Sequence, residues 1–341
     1  MSGFVARVLT AFGLPQTDAA KVASLMVEAD LHGSDTHGVF RLRQYFDRLK
    51  GGGINPRPNI HIERQAKAMA VVNGDNGFGH LVMDYATELA MDKAAETGFG
   101  WVGVNHSNHA GPGFLYAKMP LARDMIGLYT AVSSAKHVPP WGGTEKMLGT
   151  NPIAVAIPAL DEPTVSLDMA TTVAAMGKVK VYAQRDQTMP VDWMIGPDGK
   201  PLTDAKRHNE GYLLPIGGPK GYGLALIIGL LAGTLNGAAL GREVVDFSTD
   251  LTTVSNTGQF IAALDIRAFG DVGHFRQQVD EVVRALRASP TLPGYDRVQV
   301  PGDGSHAKYL DRRAAGIPLH ANLLMVLDEI AAEAAVDRLQ R

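Results

Sequence analysis

The sequence predicts an α/β protein that is not a Rossmann fold. It has a central domain with a mixed or antiparallel sheet, capped by a mainly helical domain built from both chain ends. Three observations predict it. Short apolar runs of strand length alternate with helix-length patterns between residues 67 and 289, the expected α/β domain. The flanks, 1–66 and 290–341, read as helix and loop and are expected to form the cap. The single GxGxxG match, Gly98 to Gly103, has the wrong order for a dinucleotide fold. A pyrophosphate-binding turn leaves a strand and enters a helix, whereas here a helix runs into Gly98 and a strand begins near Trp101.

The elements follow in order. Thr17 can cap a helix whose apolar face is Val22, Leu25, Met26 and Ala29, ending near His32-Gly33. A second helix covers 41–50 and is stopped by Gly51-Gly52-Gly53 and Pro56. A strand at 68–72 precedes a long Ala-rich helix at 80–97. Then come a strand at 101–105, a helix at 114–122, and strands at 126–132, 153–157 and 165–168. A helix starts at about Val173, and an uncharged one covers 221–235. A strand at 259–266 leads to an amphipathic helix at 275–288 through Phe275, Val279, Val282, Val283 and Leu286. The last helix is 321–339.

Composition narrows the function. The 341 residues are 45% apolar and 20% charged, enough for a sizeable core and two domains. Net charge is -3 with no basic stripe, so no nucleic-acid partner is expected. The absence of cysteine excludes disulfides, thiolate catalysis and cysteine-ligated metal centres, and suits a reducing compartment. Residues 1–15 hold one Arg and only short apolar runs, unlike a signal peptide, so a cytoplasmic location is expected. Residues 221–240 carry no charge and place Gly229, Gly233 and Gly237 at a four-residue spacing also used in bilayers. As the one such segment, and Gly-rich, it reads as a buried core helix, with no membrane partner expected.

Four segments carry chemistry. In the first, His32 to Arg41, Asp35 or Thr36 can cap the second helix, which would leave His37 and Arg41 one turn apart. Arg41 suits a carboxylate, whose two oxygens match its planar fork, and His37 can move a proton; a polar helix entry is the plainer reading. In the second, Asn105 to Gly113, a neutral His109 can take a hydroxyl proton. His106 and His109 could instead bind a metal, but no carboxylate or third His lies nearby, and no metal site is expected. The third runs from Gly142 to Pro152 and on to Asp168-Met169-Ala170-Thr171-Thr172. The fourth, Leu214 to Gly223, opens an uncharged helix. Its free N–H groups, with Lys220 beside them, make an anion site, although turn chemistry alone accounts for such Gly/Pro clusters.

Read together as ADLHGSDTHGVFRL, NHSNHAGPG, GTNPIAVAIP, LDMATTVAAMGKV and LLPIGGPKGYGLAL, these segments resemble the non-Rossmann malate/L-lactate dehydrogenase family over nearly the whole chain. The resemblance implies a helical cap, a homodimer, and NAD or NADP as cofactor. It implies hydride transfer at C2 of a small 2-hydroxy/2-oxo acid of the malate, lactate or sulfolactate type. Alternatives within the family are reduction of a cyclic imine (piperideine-2-carboxylate) or a keto sugar acid, and ureidoglycolate oxidation. It places catalysis on His109 and His37, and substrate binding on Arg41, Thr36 and Ser134. Cofactor binding falls on Asp168, Met169, Ala170, Lys178, Lys220 and Gly221. Two departures matter. Lys178 stands where the imine reductase has Asp, which argues against imine reduction by the same relay. Lys136 follows Ser134-Ala135 where the ureidoglycolate enzyme has an acid after its Ser, so with His137 it suits a second anionic group.

Overall fold

The computed structural model describes residues 1–340. Three helices open the chain: α1 (Ser2–Ala11), α2 (Gln16–Leu31) and α3 (Leu42–Gly51). Strands β1 (His61–Gln65) and β2 (Met69–Asn73) lead to α4 (Gly79–Thr97) and β3 (Phe99–Ser107). Next come α5 (Phe114–Lys118), β4 (Met125–Ala131), β5 (Ile153–Ile157) and β6 (Val165–Met169). A smaller region holds α6 (Met176–Gln184) and the two-residue strands β7 (Met194–Ile195) and β8 (Tyr212–Leu213). The chain closes with α7 (Pro219–Ala232), β9 (Thr257–Asp265), α8 (Val272–Arg287), α9 (Asp303–Ala315) and α10 (Ala321–Glu333).

The seven-stranded sheet has the order β1-β2-β3-β9-β4-β5-β6. Only β2 and β3 pair in parallel; every other neighbouring pair in it is antiparallel. A Rossmann sheet is parallel throughout its binding half, so the expected non-Rossmann α/β class holds. The GxGxxG match is a helix stop. Gly98 caps α4 with φ 81°, a left-handed conformation that glycine adopts without strain, and β3 begins at the next residue.

The alanines of α4 (Ala86, Ala90, Ala94) let that helix lie close on β2, β3 and β9, and Phe114 to Ala117 of α5 complete the same cluster over β4. The other face carries the stacked pair Trp101 and Phe260, with Val132 and Ala232 beside it. A separate apolar cluster joins α1, α2 and α3 to Leu327 and Ile330 of α10, so helices from both chain ends share one core. Each fully buried side chain of this size contributes about 1.5–3 kcal/mol.

Several local expectations are corrected. Thr17 does not cap α2, which starts one residue earlier behind Pro15. Neither Asp35 nor Thr36 caps α3. A turn and a short 3-10 segment, Val39–Arg41, intervene, so His37 and Arg41 are not on one helix. The 114–122 helix tightens into 3-10 geometry after Lys118, where Pro120 follows. The uncharged segment ends at Ala232. Leu224, Ile227 and Leu230 are 37%, 54% and 41% exposed, so α7 is apolar on a face this chain leaves open. On α8 the apolar stripe is also largely outside, with only Asp280 and Val283 buried. Among the described residues no helix is long and apolar enough to cross a membrane. The sequence reading also missed α1, the polar β1 and α9, and the two-residue strands β7 and β8.

Candidate active site

The register brings one set of chain ends together. Asn73 pairs with Asn105, Ser107 with Thr257 and Ala131 with Gln259. The loops after β2, β3 and β4 therefore leave the sheet beside the start of β9, the end of a sheet where ligands bind in α/β proteins. Four polar side chains hold the loop after β3. The Asn108 amide donates to the carbonyls of Asn76 and Gly77 at 3.0 Å, and Gln259 donates to the Asn108 carbonyl at 3.0 Å. Ser255 donates to Asn108 Oδ1 at 3.1 Å. Arg48, fully buried on α3, donates to Gly53 O, Thr253 O and Ser255 Oγ at 2.8–2.9 Å, and also to Asp250 O. It thereby staples residues 250–255 to the helix. A Cβ on Gly79 would sit 2.2 Å from Asn108 O, so only glycine lets α4 start this close to the loop.

His109 projects from this frame into a stack of rings. One face lies parallel to His37 at 5.3 Å, and the other pairs with Phe247 at 4.8 Å. Its Nδ1 makes a 2.6 Å hydrogen bond with the Tyr45 hydroxyl. The Arg41 guanidinium lies 5.3 Å from the same Phe247 ring, steered by Nε donating to Thr36 O at 2.7 Å and by a bond to Gln44. Phe247 is held in turn by its amide, which donates to Ser134 O at 3.1 Å. The loops thus gather Thr36, His37, Arg41, His109 and Ser134.

Burial sets the charges. It pulls His37 down to about 4 and His80 to about 3, each helped by a nearby cation or imidazole. His109 falls well below the ordinary histidine range, first by burial and then through His37, Arg41 and His80. All three rings are neutral at neutral pH, more firmly than an unperturbed histidine would be. No acid figures among the causes for His109; Asp246 faces Arg41 instead. A guanidinium beside neutral imidazoles is a setting for one carboxylate and one proton exchange.

The residues expected to hold a cofactor lie next door. Asp168, next to last in β6, accepts from Phe114 N at 3.0 Å, five residues beyond His109. Its side chain keeps contact with solvent, yet the protein packed around it pushes its carboxyl up to about 6. Met169 pairs with Ile153, and past Ala170 the chain is pinned by Thr171 N to Thr150 O and by Ile216 N to Thr171 O. These bonds set residues 168–172 against the segment that opens α7. Lys220 and Gly221 lie in the first turn of α7, which has no side-chain cap and no acid, so its amides fit the phosphates of a dinucleotide. A Cβ on Gly177 would meet the Thr36 side chain at 3.2 Å, while the Lys178 ammonium lies over the Trp193 ring at 4.6 Å. Among the described residues no group of side chains could hold a metal ion.

Tyr45, Arg48, His80 and Phe247 were missed. Tyr45 and Arg48 carried a signal, standing four and seven residues after Arg41 on one helical face. His80 and Phe247 carried none, since only the fold brings them to His109.

Comparison with known proteins identifies the family. A family model described as malate/L-lactate dehydrogenase matches residues 1–328. The chain is 37% identical to malate dehydrogenase of Pyrococcus horikoshii, over 98% of this chain and 94% of that one. It is 38% identical to L-sulfolactate dehydrogenase of Methanothermobacter thermautotrophicus, over 96% and 94%. The solved sulfolactate dehydrogenase of Methanocaldococcus jannaschii superposes with a TM-score of 0.92 at 36% identity, over 98% and 96%.

Proposed function

The chain belongs to the malate/L-lactate dehydrogenase family, NAD(P)-dependent oxidoreductases of hydroxy acids, and on that premise we propose that His109 is its acid/base and Arg41 its carboxylate clamp. The supporting observation is the shared ring. Phe247 stacks on His109 and lies under the Arg41 guanidinium, so the proton-handling group and the carboxylate-binding group face one small acid. In the oxidation direction the C2–H bond breaks with its electron pair leaving as hydride to the nicotinamide of NAD or NADP, C2–O becomes a carbonyl, and the hydroxyl proton is left for the protein. His109 Nε2 takes that proton. His37, parallel to His109 and hydrogen-bonded through its own amide to Ser34 O, walls the other side. Asp168, Met169, Ala170, Lys220 and Gly221 would hold the cofactor, the free α7 amides suiting its phosphates. Lys178 joins them at the edge, next to Thr36 through Gly177.

The substrate we infer carries a second anionic group, as malate and sulfolactate do. Lys136 supplies the charge, while His137 is pulled down to about 4 by burial and contributes a neutral ring. The open apolar face of α7 supports pairing with a second copy of the chain. The test is a panel of 2-oxo acids with NADH and NADPH, run on wild type and His109→Gln. General acid/base loss lowers turnover about 10²–10⁴-fold. The assignment fails if the variant keeps wild-type kcat, and the dianion reading fails if pyruvate outperforms oxaloacetate and sulfopyruvate.

A further inference from the structure

His109 lacks the carboxylate partner that would raise its basicity. The groups facing it are His37 from the loop after α2, Arg41 from the 3-10 turn before α3, Tyr45 from α3, and His80 from the start of α4; Asp246, from the loop before β9, faces Arg41. Of these, only the Tyr45 hydroxyl makes a short hydrogen bond to the ring, at 2.6 Å to Nδ1. The Gly111 amide also points at Nδ1, from 3.4 Å. Tyr45 is fully buried against Phe78 and edge-on to His80, and among the described residues its hydroxyl makes no other hydrogen bond.

We infer that Tyr45 is the positioning residue for His109, its hydroxyl turning Nε2 toward the substrate and reversing between donor and acceptor as Nδ1 gains or loses its proton. This rests on the acid/base role proposed for His109. In the free chain the Gly111 N–H can only donate, so Nδ1 accepts, the Tyr45 hydroxyl donates, and the ring proton sits on Nε2. That form can only hydrogen-bond the carbonyl oxygen of a 2-oxo acid; to protonate it, the ring first takes a proton from solvent at Nδ1, so that Nε2 donates from an imidazolium and leaves the neutral Nδ1–H ring. When Nε2 instead takes the hydroxyl proton of a 2-hydroxy acid, Nδ1 must carry the other proton. The Tyr45 oxygen then becomes the acceptor of Nδ1–H in the imidazolium. A hydroxyl rotates to serve either form, whereas a carboxylate could only accept and would hold the ring charged. Burial pushes the phenol far above its ordinary range, so Tyr45 remains a neutral O–H throughout. Between substrate and ring one proton passes in either direction, at Nε2, interconverting the imidazolium and the neutral Nδ1–H ring; the Nδ1 proton exchanges with solvent, and Tyr45 gains and loses none.

Tyr45→Phe removes only the hydroxyl. Its kcat is expected to fall about 10- to 100-fold in both directions, the size of losing a hydrogen bond to a charged group, with substrate KM nearly unchanged. The imidazolium loses its acceptor, so the pH limb of kcat is expected to move to lower pH in each direction. ¹⁵N NMR of histidine-labelled enzyme, with His109 assigned by the signal lost in His109→Gln, is expected to show the Nε2–H form in wild type and a mixture in Tyr45→Phe. Wild-type kcat and pH limb in Tyr45→Phe would overturn the inference. If that variant does not fold, the wild-type spectrum decides, and an equal mixture of tautomers there overturns it. A dead His109→Gln with an unaffected Tyr45→Phe removes Tyr45 alone, whereas an active His109→Gln removes the acid/base assignment beneath it.

Discussion

Replacing His80 by Leu should stabilise the protein, and more so in acid. His80 is completely buried, and both of its ring nitrogens lack a hydrogen-bond partner among the described residues. An uncompensated buried polar group costs about 1–3 kcal/mol, and Leu is close to His in volume, so it leaves little cavity. The expected gain near neutral pH is therefore about 1–3 kcal/mol. The ring also responds to pH. Burial lowers its folded pKa from 6.5 to about 3, whereas the unfolded chain keeps the ordinary value. Below 6.5 the unfolded state takes up a proton that the native ring refuses. Stability is thus intact above 6.5 and is lost progressively as pH falls toward about 3. At about pH 5, roughly 1.5 units inside that window, this loss amounts to about 2 kcal/mol at 1.36 kcal/mol per unit. His80→Leu cannot take up that proton, so its advantage should widen by that amount. Urea unfolding followed by tryptophan fluorescence at both pH values measures it. A variant less stable than wild type at both would mean that the His80 nitrogens have a partner and that the reasoning is wrong.

Other substitutions test the remaining contacts. Arg41→Met should raise substrate KM about 10- to 100-fold through loss of a charge-assisted bond, and steady-state kinetics with unchanged KM and kcat would dismiss the clamp. Arg48→Met should lower stability by about 3 kcal/mol, because it strips hydrogen bonds from the buried Gly53 carbonyl and Ser255 hydroxyl and from the Thr253 carbonyl. It should also reduce kcat through the loosened Asn108 loop; a thermal melt matching wild type would show that the staple carries no weight. Ile227→Glu puts a charge on the open face of α7. Light scattering should then report a smaller species than wild type, and equal masses would move any interface elsewhere.

The fold class was legible because its signals are local. Gly98 announced the end of α4, and the reversed order around it spoke against a Rossmann turn. What escaped was set by long-range packing. Nothing in the pattern of α7 says that Leu224 and Ile227 would face outward, since a helix apolar all round looks the same from every side. For the site, His37, Arg41 and His109 stood out as chemistry in loops. Their convergence on Phe247 depends on a ring more than 130 residues away in sequence from His109. The pKa of His109 was equally unreadable, because its depression comes first from burial, a property of the assembled fold.

The central place of β9 sets the order in which this molecule can come into being on the ribosome. It lies between β3 and β4, although more than 120 residues of chain separate the end of β4 from its start. Until that strand emerges, two long strand edges stand bare, and the loop that bears Phe247 has no strand to anchor its far end. Nascent chains stopped before residue 257 should therefore be sticky and inactive, and synthesis past residue 265 should be the moment at which edges close and the reaction centre assembles.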